Sequence, residues 1–214
     1  RDILLAKETG VQLHLCHCST ADSVKMVAEA KKEGLPVTAE VCPHHFILTT
    51  EDIPEDDGNY KMNPPLRSRE DVEALKEGLR NNIMDVIATD HAPHSAEEKN
   101  KSMKDAMFGI VGLETSAALT YTELVDKGIL TPMQMAEKMS YNPARILGIA
   151  GEKGSVSEGM IADIVIFDPK REYRIDKNTF LSKGKNTPFD NYAVKGDVRY
   201  TFVGGKMVYE NTAY

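Results

Sequence analysis

The sequence predicts an α/β protein built on parallel strands, followed by a separate β unit. Three observations carry this. Residues 1–150 alternate β-prone runs with amphipathic segments, in the order strand–helix–strand–loop–helix–strand–loop–helix. That order is the grammar of a parallel sheet or barrel. Residues 151–214 change character and carry strand patterns punctuated by Gly and Pro. Finally, the first part holds about three strand–helix units, whereas a closed (β/α)8 barrel typically takes ~250 residues. The expected division is therefore a partial barrel over 1–150 and a C-terminal β unit over 151–214.

The elements follow in order. Ile3-Leu4-Leu5-Ala6-Lys7 reads as the tail of a helix stopped by Gly10. The chain opens at Arg1 in mid-helix, so it is expected to be a piece of something longer. Val11–Cys18 is a β-prone run after a glycine and is read as a strand. Ser19 or Thr20 then caps a helix over Asp22–Glu33, with Val24, Val27, Ala28 and Lys31 at helical spacing and Gly34 at its end. Pro36–Cys42 is the next strand, because Val37, Thr38 and Val41 fit a pleated surface. Residues 43–67 are polar and contain proline, hence loop, with a turn of helix near Thr50–Ile53.

Ser68–Asn81 is an amphipathic helix with Val72, Leu75 and Leu79 on one face. Ser68 and Asp71 form its capping box in acid form. Asp85–Thr89 is the third strand and 90–108 a long polar loop. Leu113–Lys127 and Pro132–Lys138 are helical, the second with Thr131 as cap and Pro132 in its first turn. Asn142–Leu147 continues as a short helix ended by Gly148. Gly154–Pro169 and Val194–Tyr209 are strands, with Gly204-Gly205 as a hairpin signal. Asn178–Asp190 is polar, contains Gly184 and Pro188, and is expected to be a mobile excursion.

Composition narrows the function. The 214 residues carry 26 Lys and Arg against 33 Asp and Glu, a formal net charge of −7. That balance excludes a basic nucleic-acid surface or a polybasic membrane anchor as the main function. The apolar runs, such as Asp163–Phe167, are strand-sized and far from the ~18 residues of a membrane span. Three cysteines within Cys16–Cys42 do not make a disulfide framework, so a reducing cytoplasm is the expected setting.

Chemistry concentrates at strand ends. Ala88-Thr89-Asp90-His91-Ala92-Pro93-His94 lies where a strand gives way to a loop. In parallel α/β folds catalytic groups sit at that edge. A carboxylate such as Asp90 can bind a metal and exchange a proton there, although Asp is also a common turn former. His14-Leu15-Cys16-His17-Cys18-Ser19-Thr20 ends the first strand. Alternation puts Leu13, Leu15 and His17 on one face and His14, Cys16 and Cys18 on the other. Neutral imidazole is the commonest transition-metal ligand, while a single buried histidine is more often a hydrogen-bonded core residue. A rival reading is a structural zinc module from His14, Cys16, Cys18 and Cys42. C-x-C on a strand fits the usual spacing poorly. Cys42-Pro43-His44-His45 follows the second strand, and these histidines are read as lining or structural. Lys61-Met62-Asn63-Pro64-Pro65-Leu66-Arg67 is a proline-stiffened loop able to aim Asn63 at a ligand, or else a plain surface turn.

Taken in order, these pieces resemble the second half of a dihydroorotase of the amidohydrolase superfamily. The resemblance rests on His17 in H-C-S-T, the M-N-P-P-L-R loop and A-T-D-H-A-P-H. It continues through Phe108-Gly109-Ile110-Val111-Gly112-Leu113-Glu114-Thr115 and Asn142-Pro143-Ala144-Arg145-Ile146-Leu147-Gly148. Gly154-Ser155-Val156 through Gly159, then Ala162-Asp163-Ile164-Val165, complete it. It covers essentially the whole chain. It implies strands six to eight of a TIM-type barrel with their helices, then a small β-sandwich unit. It implies that His17 ligates the more buried metal of a binuclear zinc centre. Asp90 is then the strand-eight ligand of the other metal and the proton shuttle. Asn63 and His94 bind the dihydroorotate ring and its carboxylate, and the Phe108-Gly109 backbone meets the ring amide. The implied reaction is reversible ring opening of dihydroorotate to N-carbamoyl-aspartate in pyrimidine biosynthesis.

The family's H-x-H-x-R motif, its fourth-strand bridging Asp or carboxylated Lys, and its fifth-strand His have no counterpart in this sequence. The zinc centre is therefore expected to be incomplete here and the chain inactive by itself. Association with an N-terminal half or a second copy is expected, and aspartate carbamoyltransferase is a candidate partner. Hydantoinase or allantoinase relatives and a non-catalytic scaffold subunit are the alternatives. Survival of His17, Asn63, Asp90 and His94 weighs against the scaffold.

Overall fold

A computed structural model describes residues 1–212. The described residues form two compact units. The first is Arg1–Ser116 with Asp176–Asp190, and the second is Ala117–Ile175 with Asn191 onward. The expected β unit over 151–214 includes Ala213 and Tyr214, which lie outside the described residues.

In the first unit, α1 (Asp2–Thr9) ends at Gly10, whose φ of 69° is the left-handed conformation glycine adopts without strain. Three short strands follow: β1 (Leu13–Leu15), β2 (Val37–Val41) and β3 (Val86–Ile87). They form a parallel sheet in the order β1-β2-β3. Leu13 pairs with Val37, Leu15 with Ala39, and Val41 with Ile87. The strands are shorter than the β-prone runs because the chain turns off the ladder at their C-terminal ends.

Alternation along β2 buries Val37, Ala39 and Val41 on one face and leaves Thr38 and Glu40 half-buried on the other. The helices α2 (Ala21–Lys32) and α4 (Arg69–Arg80) supply the remaining core: Val27, Val72, Leu75 and Leu79 are fully buried. At the N-terminal edge of the sheet the Lys31 ammonium donates to the Asp85 carboxylate (2.7 Å) and the Ile83 carbonyl (2.7 Å). The same carboxylate accepts the Ala39 N–H (2.9 Å).

The helix starts follow the sequence signals. Thr20 Oγ1 accepts the Ser23 N–H (3.1 Å). Ser68 Oγ accepts the Asp71 N–H, and Asp71 accepts both the Ser68 N–H and its hydroxyl. The other Asp71 oxygen takes the Ala21 N–H (2.8 Å), so one carboxylate caps α4 and holds the start of α2. Two short helices were not expected, α3 (Pro43–Ile47) and α5 (Ala96–Lys99). Ser95 and Glu98 form a capping box for the latter. The segment 176–190 is not a free excursion: Asn186, Thr187 and Phe189 are buried within the first unit.

The second unit begins with α6 (Ser116–Thr120), which runs on through a π-helical turn, Tyr121–Val125. Next come α7 (Pro132–Ala136), a second π-helical turn and α8 (Asn142–Ile146). Thr131 caps α7 with Pro132 in its first turn, as the sequence predicts. An antiparallel sheet is made by β4 (Ile164–Arg174), β5 (Ala193–Val203) and β6 (Lys206–Glu210). The β5–β6 turn is Gly204-Gly205, with φ of 55° and 78°. Positive φ at both central residues is what a tight hairpin turn requires. Pro169 lies within β4, where the register shifts between Asp168 and Glu172.

Ser68→Ala is expected to lower stability by about 1 kcal/mol. Asp71→Ala should lower it further, because it also frees the Ala21 N–H. Burial pushes the Asp71 carboxyl up, but hydrogen bonds from Ala21 and Ser68 leave it below the usual carboxylate value. Its contribution is therefore complete above the carboxylate range and is lost as pH falls through the lowered value. Urea midpoints at descending pH should show wild type and Asp71→Ala converging.

Candidate active site

The parallel ladder sends the C-terminal ends of β1, β2 and β3 to one edge, and the candidate residues gather there. His17 follows β1 with φ of 39°, and Asp90 follows β3 with φ of 48°. Left-handed backbone at non-glycine residues costs about 1–3 kcal/mol each and clusters at functional sites. The turn at His17 also breaks the alternation expected along 13–18, since the strand stops at Leu15. Neither the His17 ring nor the Asp90 carboxylate has a hydrogen-bond partner among the described residues.

Glu40 organises the β1 end. Its Oε2 lies 3.0 Å from His14 Nε2, while Oε1 accepts the His17 N–H (3.2 Å). His14 Nδ1 lies 2.8 Å from Thr38 Oγ1, so His14, Thr38 and Glu40 share the polar face of the sheet. Burial pushes the Asp90 carboxyl above its usual value; His17 draws it down and Glu40 pushes it up. His44 Nε2 stands 4.0 Å from Asp90 Oδ2.

Burial keeps both α3 histidines neutral. His45 is lowered to about 4, and burial holds His44 well below its ordinary value. His45 Nε2 lies 2.8 Å from the Pro64 carbonyl, to which it must donate. Its Nδ1 therefore carries the lone pair, and that atom, like His44 Nε2, is buried without a partner. Burial likewise raises the Cys18 thiol to about 11 and the Cys42 thiol higher, so both are protonated at neutral pH.

The second cluster consists of loops. The His94 N–H donates to Asn186 Oδ1 (2.9 Å), and His94 Nε2 lies 2.8 Å from the Phe108 carbonyl. Its Nδ1 stands 3.7 Å from Glu98. Asn186 Nδ2 donates to the carbonyls of Ala92 (2.9 Å) and Gly109 (3.1 Å), so this one side chain ties 92–94 to 109. Gly109 has φ of 117°, and a Cβ there would stand 2.4 Å from Ala92 Cβ. Only glycine permits that approach. The Gly109 N–H donates to the Lys61 carbonyl (3.0 Å), two residues before the exposed Asn63. Phe108 is exposed, with the Lys61 ammonium 4.5 Å from its ring centre.

The structure thus draws His17 and Asp90 into one electrostatic neighbourhood, and His94, Phe108, Gly109 and the Asn63 loop into another, joined through residues 90–94. Glu40, Lys99 and Asn186 are not singled out by the sequence, while His44 is read there only as lining or structural. Position along β2 could have flagged Glu40, two residues beyond Thr38 and near the strand end. Nothing in the sequence could have flagged Asn186, which lies 92 residues from its partner His94.

As metal ligands, an imidazole and a carboxylate with no hydrogen bond to either among the described residues fit zinc in kind. They fall short in number, since catalytic zinc takes three protein ligands. Two groups of three candidate ligands occur among the described residues: Cys42 with His44 and His45, and His14 with Cys16 and Glu40. The rival module of His14, Cys16, Cys18 and Cys42 is not among these groups, which divide its residues between them.

An amidohydrolase family model matches residues 1–208, and the chain belongs to the amidohydrolase family. Among curated relatives, a dihydroorotase of a Geobacillus species is 53% identical over 210 residues, covering 98% of this chain and 49% of that protein. A dihydroorotase of Pelotomaculum thermopropionicum is 53% identical over 211 residues, covering 99% and 49%. The chain spans about half the length of the curated relatives it matches. Among solved structures, the L-hydantoinase (dihydropyrimidinase) of Arthrobacter aurescens is similar with a TM-score of 0.92 at 37% identity. That match covers 98% of this chain and 47% of that one. The dihydropyrimidinase of Brevibacillus agri gives 0.92 at 29%, covering 99% and 48%.

The left-handed backbone at Asp90 makes a stability prediction. Asp90→Asn should cost little, because Asn tolerates this region, whereas Asp90→Val should lose about 1–3 kcal/mol more. Thermal unfolding of the two variants side by side measures the difference.

Proposed function

We propose that the chain is the C-terminal portion of a zinc-dependent dihydroorotase, which opens the dihydroorotate ring reversibly to N-carbamoyl-aspartate. The observation that carries this reading is His17 and Asp90 at the two strand ends that flank β2, neither side chain hydrogen-bonded among the described residues, with His94 four residues beyond Asp90 in the Phe108–Gly109 loop cluster. Relatives named dihydroorotase at 53% identity favour this substrate over the hydantoins of the structural neighbours at 37% and 29%.

In this reading His17 and Asp90 hold zinc, with further ligands coming from the half of the enzyme that this chain does not contain. Zinc held there would supply a Lewis acid for a ring carbonyl and would make a water more acidic. The Asp90 carboxylate, pushed up by burial, is placed to take a proton and pass it to the departing ring nitrogen. Asn63 lies on an exposed loop and is free to turn to the ring. His94 reaches the substrate carboxylate through Nδ1 or by giving up the Phe108 carbonyl. The carbonyls of Phe108 and Gly109 each keep a second lone pair for the ring N–H.

The architecture proposed is strands six to eight of a TIM-type barrel, followed by a small β-sandwich unit to which β4, β5 and β6 belong. The edges of the sheet at β1 and β3 support the first part, since a barrel closes by pairing its edges. Val165, Val203, Met207 and Val208, each more than half exposed on the antiparallel sheet, support the second. The partners proposed are the N-terminal half, a second copy and aspartate carbamoyltransferase. A cytoplasmic setting is supported by three unpaired cysteines. No helix among the described residues is long and apolar enough to cross a membrane.

A ring-opening assay with added zinc tests the reading. The full-length gene product should turn over dihydroorotate, and the 214-residue chain alone should not. In the full-length protein, Asp90→Asn should abolish turnover and His94→Ala should mainly raise KM. Full activity in Asp90→Asn would refute the proton role.

A further inference from the structure

Lys99 is a buried lysine whose ammonium forms no ion pair among the described residues. The residue is 1% exposed at the end of the single-turn helix α5. Its Nζ donates to the Lys61 carbonyl (3.0 Å) and to the Met107 carbonyl (2.9 Å). Those two carbonyls belong to the loops that carry Asn63 and Phe108-Gly109. The Lys61 carbonyl also accepts the Gly109 N–H (3.0 Å), and the Met107 N–H returns to the Glu98 carbonyl (3.2 Å). Gly58 closes over the same spot: a Cβ there would lie 2.4 Å from the Lys99 carbonyl and 2.6 Å from Ala106 Cβ.

Burying an ammonium is costly unless it is well bonded. Burial, with the nearby Lys61 charge adding to it and Asp57 opposing, lowers Lys99 to about 8. A charge kept in such a place against its own desolvation calls for a reason. Hydrogen bonds from a charged donor are roughly twice as strong as neutral ones. Two of them here cross between loops that share one backbone bond at Gly109.

We propose that Lys99 is a positioning residue that clamps the Asn63 loop to the Phe108-Gly109 loop, setting the spacing at which they grip a cyclic amide. This rests on the reading of those loops as the ring-binding elements. Lys99 itself touches two main-chain carbonyls and not the substrate.

Two measurements on the full-length gene product test it. The first is ring-opening kinetics of Lys99→Met and Lys99→Arg. Lys99→Met should raise KM for dihydroorotate at least tenfold with kcat changed less than threefold, and Lys99→Arg should recover part of that loss. The second is hydrogen exchange, which needs no activity. Peptides carrying the Gly109 amide should exchange at least tenfold faster in Lys99→Met, while peptides from β1–β3 stay at wild-type rates. Unchanged exchange at Gly109 overturns the clamp whatever the kinetics. Faster exchange with an unchanged KM overturns its role in binding. If Lys99→Met exchanges rapidly throughout, the test passes to Lys99→Arg, where a wild-type Gly109 rate with wild-type KM supports the clamp and a rise in β1–β3 exchange overturns it in favour of a purely structural lysine. Should wild type not open dihydroorotate, the functional reading fails, and the exchange experiment still decides the clamp.

Discussion

The parallel pairing of β1 and β3 to the two sides of β2 is the constraint on which the rest depends. Parallel strands send all their C-terminal ends to one edge, so residues 17, 42 and 90 arrive together although they are far apart in sequence. The pairing is fixed from below by one buried cluster. Asp85 accepts from Lys31 and from the Ala39 backbone, locking α2, β2 and the start of β3 together. The opposite edge carries His17 and Asp90.

His17 and Asp90 sit in left-handed backbone, and neither side chain is spent on a hydrogen bond among the described residues. Glu40 holds the His17 backbone rather than its ring, which leaves the imidazole available. The α3 histidines are neutral and pack with ring centres 4.2 Å apart, so they add no positive charge beside Asp90. The loops are treated in the opposite way. Asn186 and Lys99 each donate to two main-chain carbonyls, so the loops around Gly109 are tied together by side chains from distant parts of the sequence.

Much of this was legible in the sequence where the signal was local. The Ser68–Asp71 box, Thr131 with Pro132, and the Gly204-Gly205 turn each act within a few residues, and each formed as expected. His17 and Asp90 were legible as the polar residues ending β-prone runs, and their proposed roles come from resemblance rather than from spacing. The strands were read too long because β propensity does not report where the chain turns off a ladder. α3 was missed because Pro43 suggested a loop, although proline is equally at home in a first helical turn. Asn186 and the burial of 176–190 depend on tertiary docking, which no short window of sequence contains.

The central claim is that this strand edge carries part of a metal centre, with His17 and Asp90 as its contribution. The direct measurement is anomalous diffraction at the zinc absorption edge from crystals of the full-length gene product. The account predicts an anomalous peak within bonding distance of both the His17 ring and the Asp90 carboxylate. Zinc bound only at Cys42, His44 and His45, or no zinc at this edge, would contradict it.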